Sequence, residues 1–225
     1  MAIMKMSEEG CASRGEQFAY HFFKKYLPDD FKVYSNVLLF HQGFDGMGHE
    51  IEIDFVIFHR NLGLLAVELK DWRIDQIHDV RQDSIQLNYN RVRNNPMKDV
   101  RFKAQVLKEK LMECPEFMDY CHRLIMPVHG CCGLPYIRWS EWQERTRALM
   151  IRSVESTGIC PFTSLFKDDF LDTRFLMDRT HSLSRLRHLR RNAAFEFDWC
   201  DGHEHMLDEV LCATYQDESL VGCGR

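Results

Sequence analysis

Two apolar stretches in the first half of the chain have the pattern of neighbouring buried strands. One runs from Glu50 to Phe58, the other from Leu64 to Trp72, and a turn at residues 60–63 separates them. Both are short and rich in aliphatic, β-branched and aromatic side chains, which is typical of strands inside a sheet. The pattern predicts two central strands, and both of them carry charged residues.

Other segments of the chain have the same short apolar pattern. The segments predicted to be strands are Phe31–Phe40, Ser84–Tyr89 and Leu124–Pro135, and residues 72–77 are expected to extend the central sheet. The glycine-rich loop at residues 41–48 lacks the spacing and the following helix of a phosphate-binding loop. We therefore assign it only the role of a connection between strands.

Two helices are predicted from their capping residues. The first should begin at Ser13, because Ser13 and Glu16 have the spacing of a capping box, and it should end before Pro28. The second should begin after Asn95, a favourable N-cap that is followed by Pro96 at the first helical position. Helices and strands thus mix along the chain, which indicates an α/β fold with a central mixed sheet flanked by helices.

The character of the chain changes after Trp139. Residues 1–139 are predicted to form the α/β domain and residues 140–225 a mainly helical C-terminal extension. The helices expected there are Ser140–Met150, with Ser140 as N-cap, and Asp168–Met177, Ser182–Arg191 and Met206–Tyr215. The last six residues resemble neither a helix cap nor a hydrophobic anchor, so we expect either a frayed tail or a continuation into a longer protein.

Composition limits the classes of function. The 225 residues are 45% hydrophobic and have a formal net charge of −5, so any binding of nucleic acid requires local basic surfaces. No apolar run approaches the roughly 18 residues of a membrane span, and the N-terminus lacks the pattern of a signal peptide. We therefore expect a cytoplasmic protein, no membrane partner and mostly reduced cysteines.

The charged residues of the two central strands suggest a metal site. Glu68 and Lys70 project from the same face of their strand, because side chains alternate. Strand pairing could bring Asp54 beside Glu68, and carboxylate oxygens suit Mg²⁺ or Mn²⁺. A buried ion pair between Glu68 and Lys70 accounts for the same residues equally well.

Three further groups of residues also have two interpretations. Glu16 either caps the first helix, which local sequence favours, or points toward the sheet carboxylates. The basic residues near the second helix form either a solvated surface or a phosphate-binding one. A Cys/His-rich segment fits no common zinc module and is better explained by buried thiols. The basic residues are Arg91, Arg93, Arg101, Lys103, Lys108 and Lys110, and the Cys/His set is Cys114, Cys121, His122, His129, Cys131 and Cys132.

Taken together, these motifs resemble the PD-(D/E)xK nuclease fold, and within it the nuclease-related domain (NERD) family. The resemblance covers about residues 13–135 and is specific as a set. It implies a restriction-endonuclease-like core in residues 1–139. The segments that carry it are Gly15-Glu16, Val33–Val37, Glu52–Val56, Gly63–Trp72 and Asn95-Pro96.

The resemblance implies a role for each matching residue. Asp54, Glu68 and Glu16 would bind Mg²⁺ or Mn²⁺, and Lys70 would orient or help deprotonate the attacking water. The protein would then be a Mg²⁺-dependent deoxyribonuclease, and Arg91, Arg93, Lys98 and Arg101 would contact DNA. One departure is that Asp99 stands where the family often has glutamine.

Two other functions compete with the nuclease hypothesis. One is a catalytically silent module that binds or targets DNA, for example beside a helicase. The other is a zinc-stabilised interaction domain built from the Cys/His set. The four residues Glu16, Asp54, Glu68 and Lys70 favour the nuclease, because binding alone does not require buried acids facing a polyanion.

Overall fold

The computed structural model describes residues 1–5, 8–42, 47–60, 62–88, 91–149, 157–160, 163–170 and 200–212. The helices are α1 (Arg14–Tyr26), α2 (Pro96–Met112), α3 (Trp139–Ala148) and α4 (Asp201–Cys212). The strands are β1 (Ile3–Met4), β2 (Phe31–Gln42), β3 (Gly48–His59), β4 (Gly63–Leu69), β5 (Ile77–Val80), β6 (Ser84–Leu87), β7 (Arg91–Asn94), β8 (Val128–Leu134) and β9 (Ser164–Phe166).

A six-stranded mixed sheet forms the centre of the molecule. Its strand order is β1-β2-β3-β4-β8-β9, in which β2, β3 and β4 are antiparallel and β8 and β9 are parallel to β4. The connection from β4 to β8 contains α2, as a parallel crossover requires. This arrangement confirms the predicted α/β fold with a restriction-endonuclease-like core.

The start of β4 depends on a glycine. Gly63 has a φ of +83°, and a Cβ atom there would lie 2.3 Å from the carbonyl oxygen of Pro127. The next residue, Leu64, donates its amide to that same oxygen at 2.7 Å. Gly63 therefore allows β4 to approach the segment that enters β8, and this approach sets the register of the two parallel strands.

The sheet is covered on both faces by apolar clusters. The cluster on the α1 side contains Phe23, Phe55 and Val67, and the cluster on the α2 side contains Val56, Ala66 and Leu107. Both predicted helix starts are confirmed: the Ser13 hydroxyl accepts from the amide of Glu16 at 3.1 Å, and Asn95 Oδ1 accepts from the amide of Met97 at 2.9 Å. Capping therefore fixed where these two helices begin.

The prediction that residues 72–77 extend the central sheet is wrong. A short 3₁₀ turn at Ile74–Gln76 follows the loop after β4, and β5 then pairs with β6 and β7 in a separate three-stranded sheet. Arg145 of α3 donates to the carbonyl oxygen of Ile77 at 2.6 Å. After Leu69 the chain leaves the central sheet. It cannot form a new strand beside β4, because β3 and β8 already occupy the two sides of β4.

The described residues after Trp139 contain a strand as well as helices. β9 extends the central sheet beside β8, and α4 packs on β2. The N-cap of α3 is Arg138, two residues before the predicted N-cap Ser140, and Glu141 accepts from the Arg138 amide at 2.7 Å. Of the predicted helix Asp168–Met177, residues 168–170 form a turn and the rest lies outside the described residues, as does the predicted helix Ser182–Arg191. The domain boundary after residue 139 stays a prediction.

None of the helices in the described part of the chain is long and apolar enough to cross a membrane.

Candidate active site

The two predicted acidic residues lie side by side at the point where β3 and β4 separate. The β3–β4 ladder runs from His59 opposite Gly63 to Phe55 opposite Val67, so Asp54 and Glu68 occupy the next positions. Beyond this point β3 continues only with β2. Asp54 Oδ2 accepts from the backbone amide of Leu69 at 2.6 Å, and this bond replaces the next bond of the ladder.

A kink in β2 and β3 coincides with Asp54. In β3, Ile53 packs in the cluster on the α2 side, whereas Phe55 packs on the α1 side, although residues two apart in a regular strand share a face. Asn36 lies between the ladder pairs that flank Asp54 and has a φ of +53°. The two strands therefore change faces together at Asn36 and Asp54, which places Asp54 at a break in the alternation.

Glu68 is almost completely buried and forms ion pairs with two lysines. Its exposed fraction is 5%, its Oε1 accepts from Lys70 Nζ at 2.6 Å, and its Oε2 accepts from Lys103 Nζ at 2.5 Å. Lys70 shares the strand face of Glu68, as alternation predicts, and its amide donates to the carbonyl oxygen of Gly133 at 2.9 Å. The carboxylate thus has a cation on each side.

The charges of the site shift the pKa values of its members. Burial and the charge of Glu68 raise the pKa of Asp54 to about 7, although the Leu69 amide and the two lysines oppose this rise. Burial lowers the pKa of Lys70, but the charge and hydrogen bond of Glu68 outweigh this effect and leave it above its ordinary value. The two carboxylates are therefore close enough to repel, and Lys70 is held as a cation.

Glu16 lies at the start of α1, and its described hydrogen bond is a capping interaction. Its Oε2 accepts from the amide of Ala12 at 2.8 Å. The neighbouring Gly15 donates its amide to Asp71 Oδ2 at 3.1 Å, and a Cβ at Gly15 would lie 1.8 Å from Asp71 Oδ1. The start of α1 therefore packs against the residue that follows Lys70, and a metal-binding role for Glu16 stays a prediction.

The four basic residues predicted to contact DNA are all exposed and lie on two elements. Arg91 and Arg93 are on β7, and Lys98 and Arg101 are on α2, where they line a pocket of about 500 Å³ together with Asp83. Arg101 and Lys103 are two residues apart in a helix, so they project in directions about 200° apart. Arg101 is therefore on a different side of α2 from the lysine that contacts Glu68.

Sequence analysis did not identify Lys103, which was grouped with the solvated residues of α2. It stands three residues after the buried Val100 and four before the buried Leu107, so it lies at the border of the buried face. It is also four residues after Asp99, the position where the family often has glutamine. Both spacings place it beside the buried face, but neither shows that it contacts a carboxylate of the sheet.

The Cys/His set does not come together as a metal site. Cys131 and Cys132 are buried in the clusters on opposite faces of the sheet, as expected for neighbours in a strand. None of the eight cysteines within the described residues forms a disulfide. Burial raises the pKa of Cys132, which pairs with Glu68 across β4 and β8, so this thiol is neutral.

Asp54 and Glu68 are a donor set that fits a hard divalent cation. Mg²⁺ is commonly held by one or two carboxylates, with water and substrate phosphate completing its coordination. The described residues contain no group of three or more His, Cys, Asp or Glu side chains arranged to hold a metal ion. A cation at this site would therefore use the carboxylate pair and non-protein oxygens.

Comparison with known families agrees with this geometry. Residues 12–132 match the family model of the nuclease-related domain (NERD), a segment that includes α1, the β2–β4 strands and α2. No curated protein and no solved structure matches the chain significantly. Because the family match spans more than half of the sequence, the protein belongs to the nuclease-related domain family.

Proposed function

We propose that the protein is a metal-dependent nuclease that hydrolyses phosphodiester bonds in DNA. The observation that carries this proposal is the contact of Glu68 with Lys70 beside Asp54, at the fork of β3 and β4. These residues lie within the segment that matches the nuclease-related domain. A pair of carboxylates with an adjacent lysine is suited to phosphodiester hydrolysis and has no comparable use in simple binding of a polyanion.

Each residue of the site has a role in this proposal. Asp54 and Glu68 would hold Mg²⁺ or Mn²⁺, which when bound lowers the pKa of a coordinated water and neutralises charge on the phosphate. Lys70 would orient the attacking water or the phosphate, because a compact ammonium donates hydrogen bonds in several directions. Glu16 would add a carboxylate from α1 once its side chain leaves the Ala12 amide, and the exposed Arg91, Arg93, Lys98 and Arg101 would bind the DNA backbone.

The alternative is a catalytically silent DNA-binding or targeting module, associated with a helicase or a DNA-processing complex. One observation favours it: both carboxylate oxygens of Glu68 are already engaged by lysines. In that case the buried charges would be a structural ion-pair network. The alternative predicts that DNA binds and is not cut.

The deciding experiment is cleavage of single-stranded, linear duplex and supercoiled DNA with Mg²⁺, with Mn²⁺ and with chelator. Wild type should cleave only with a divalent cation, and Lys70→Ala and Glu68→Ala should reduce the rate by at least about 100-fold, as expected when a group acting on the transition state is lost. The matched controls are Lys108→Ala and Glu52→Gln, which remove exposed charges from α2 and β3.

Control variants should cleave at the wild-type rate. Wild-type cleavage by either site variant would refute the mechanism. DNA binding without cleavage by the wild type under every cation condition would support the silent module.

A further inference from the structure

The contact between Lys103 and Glu68 joins α2 to the end of β4. Lys103 Nζ lies 2.5 Å from Glu68 Oε2, and only 19% of the lysine side chain is exposed. The two residues are 35 positions apart in the sequence. Ordering a long lysine side chain costs conformational entropy, so the burial of this one indicates a strong interaction with the carboxylate.

This contact competes directly with a metal ion. A carboxylate oxygen binds Mg²⁺ at about 2.0–2.1 Å, and an ammonium at hydrogen-bonding distance takes one of the two lone pairs of that oxygen and part of the space beside it. Two ammonium groups beside one carboxylate also repel a divalent cation, and this repulsion is strong in a partly buried site. Binding of a divalent cation through Oε2 of Glu68 is therefore weaker while both lysines stay in place.

We infer that Lys103 is a positioning residue of the metal site, which holds Glu68 Oε2 in the metal-free protein and yields it to the incoming divalent cation. This inference rests on the proposed function, since it takes Asp54 and Glu68 as the metal ligands.

Lys103 is better suited to this exchange than Lys70. The backbone of Lys70 lies two residues from Glu68 and is fixed by the hydrogen bond from its amide to Gly133, so its side chain begins beside the carboxylate. Lys103 reaches Glu68 from another element through four flexible side-chain bonds. It can withdraw by changing rotamers, without movement of α2 or of the sheet.

The test is Mn²⁺ affinity without DNA, measured by calorimetry on wild type, Lys103→Met and Lys108→Met. Methionine keeps the length and apolar part of the side chain and removes the charge. Lys108→Met is the matched control, because it removes a positive charge from the exposed side of the same helix. Lys103→Met should bind Mn²⁺ about tenfold more tightly than wild type, since a repelling charge and a competing donor are gone.

Lys108→Met should bind Mn²⁺ like wild type. Thermal unfolding in chelator shows whether the variants are folded, and Lys103→Gln replaces Lys103→Met if the latter is not. In proteins that also carry Glu68→Gln, the substitution Lys103→Met should no longer change the Mn²⁺ affinity.

Unchanged or weaker Mn²⁺ binding by the folded Lys103 variant overturns the inference, and so does an absence of binding by every protein tested. Cleavage assays on the same samples keep the two proposals apart. Metal-dependent cleavage with unchanged Mn²⁺ affinity would leave the nuclease proposal intact and reject the role of Lys103. Tighter Mn²⁺ binding by the Lys103→Met variant, with no DNA cleavage by any of the proteins, would support the role of Lys103 and reject the nuclease proposal.

Discussion

At the scale of single residues, the site is a set of buried charges that stabilise one another only in part. Glu68 has two lysine partners, whereas Asp54 has one backbone amide, and burial together with the neighbouring carboxylate raises the pKa of Asp54 to about 7. Burial of a carboxylate beside another one opposes folding when both are ionised. This is the arrangement expected where a cation binds, because the cation removes the repulsion.

The raised pKa of Asp54 predicts a pH dependence of stability in the metal-free protein. The folded protein holds this proton up to about pH 7, whereas the unfolded chain releases it near the ordinary value of 3.8. The stability contributed by the proton is therefore full below the unfolded pKa and is lost as pH rises through the folded one. Asp54→Asn should remove this loss, so its stability relative to wild type should be about 2–3 kcal/mol higher at pH 8 than at pH 5.

Denaturant unfolding in chelator at the two pH values measures this effect. Glu52→Gln is the control, because Glu52 is an exposed carboxylate two residues away on β3, and it should respond to pH like wild type. Equal pH responses of Asp54→Asn and wild type would show that Asp54 does not keep its proton in the folded protein.

At the scale of elements, the site depends on the kink shared by β2 and β3. Asn36 adopts a left-handed φ of +53° and is 4% exposed, and its side-chain oxygen has no hydrogen-bond partner among the described residues. Left-handed conformation costs most residues about 1–2 kcal/mol, whereas asparagine and glycine adopt it more easily. The kink lets β2 and β3 diverge from β4 while Asp54 stays beside Glu68.

Substitutions at Asn36 should therefore follow backbone preference. Asn36→Ala should be about 1 kcal/mol less stable than Asn36→Gly in denaturant unfolding, because alanine disfavours positive φ. Ser35 is the control, since it is buried in the same strand without positive φ. There the order should reverse, with Ser35→Ala more stable than Ser35→Gly. The same order at both positions would contradict a structural role for the left-handed residue.

At the scale of the whole molecule, residues after 139 complete the core. Trp142 of α3, Phe166 of β9 and Leu207 of α4 are all within the apolar cluster on the α2 side and at most 1% exposed. Polar contacts also hold α4 against the sheet. The buried Tyr34 hydroxyl donates to Asp208 at 2.6 Å, and Lys32 forms an ion pair with Glu204 at 2.8 Å. The segment matching the family model ends at residue 132, before these contributions.

We therefore expect a chain truncated after residue 139 not to fold by itself. Such a chain would expose the apolar cluster on the α2 side and leave β8 without its partner strand β9, and both changes favour aggregation. Size-exclusion chromatography and denaturant unfolding should show aggregation or a non-cooperative transition. A chain ending at residue 212 is the matched control, because it keeps every described helix and strand. Cooperative unfolding of residues 1–139 would establish that segment as an independent domain.

Much of the fold was predictable because its determinants are local. The capping residues Ser13 and Asn95 predicted both helix starts, and the apolar runs predicted β2, β3, β4 and β8. The prediction that residues 72–77 extend the central sheet is wrong, because Ile74–Gln76 form a 3₁₀ turn and only Ile77 belongs to a strand, which pairs in the second sheet. The alternation of side chains also predicted that Glu68 and Lys70 share a face, as their 2.6 Å contact shows.

The sequence by itself therefore determined most of the elements, the family and the common strand face of Glu68 and Lys70, because these depend on patterns that are local in the sequence. Only the tertiary structure decided that Lys103 reaches Glu68, that the strands change faces at Asn36 and Asp54, and that β9 and α4 complete the core. These features depend on contacts between distant segments. A charged residue on a helix has the same local pattern whether it faces solvent or a buried carboxylate.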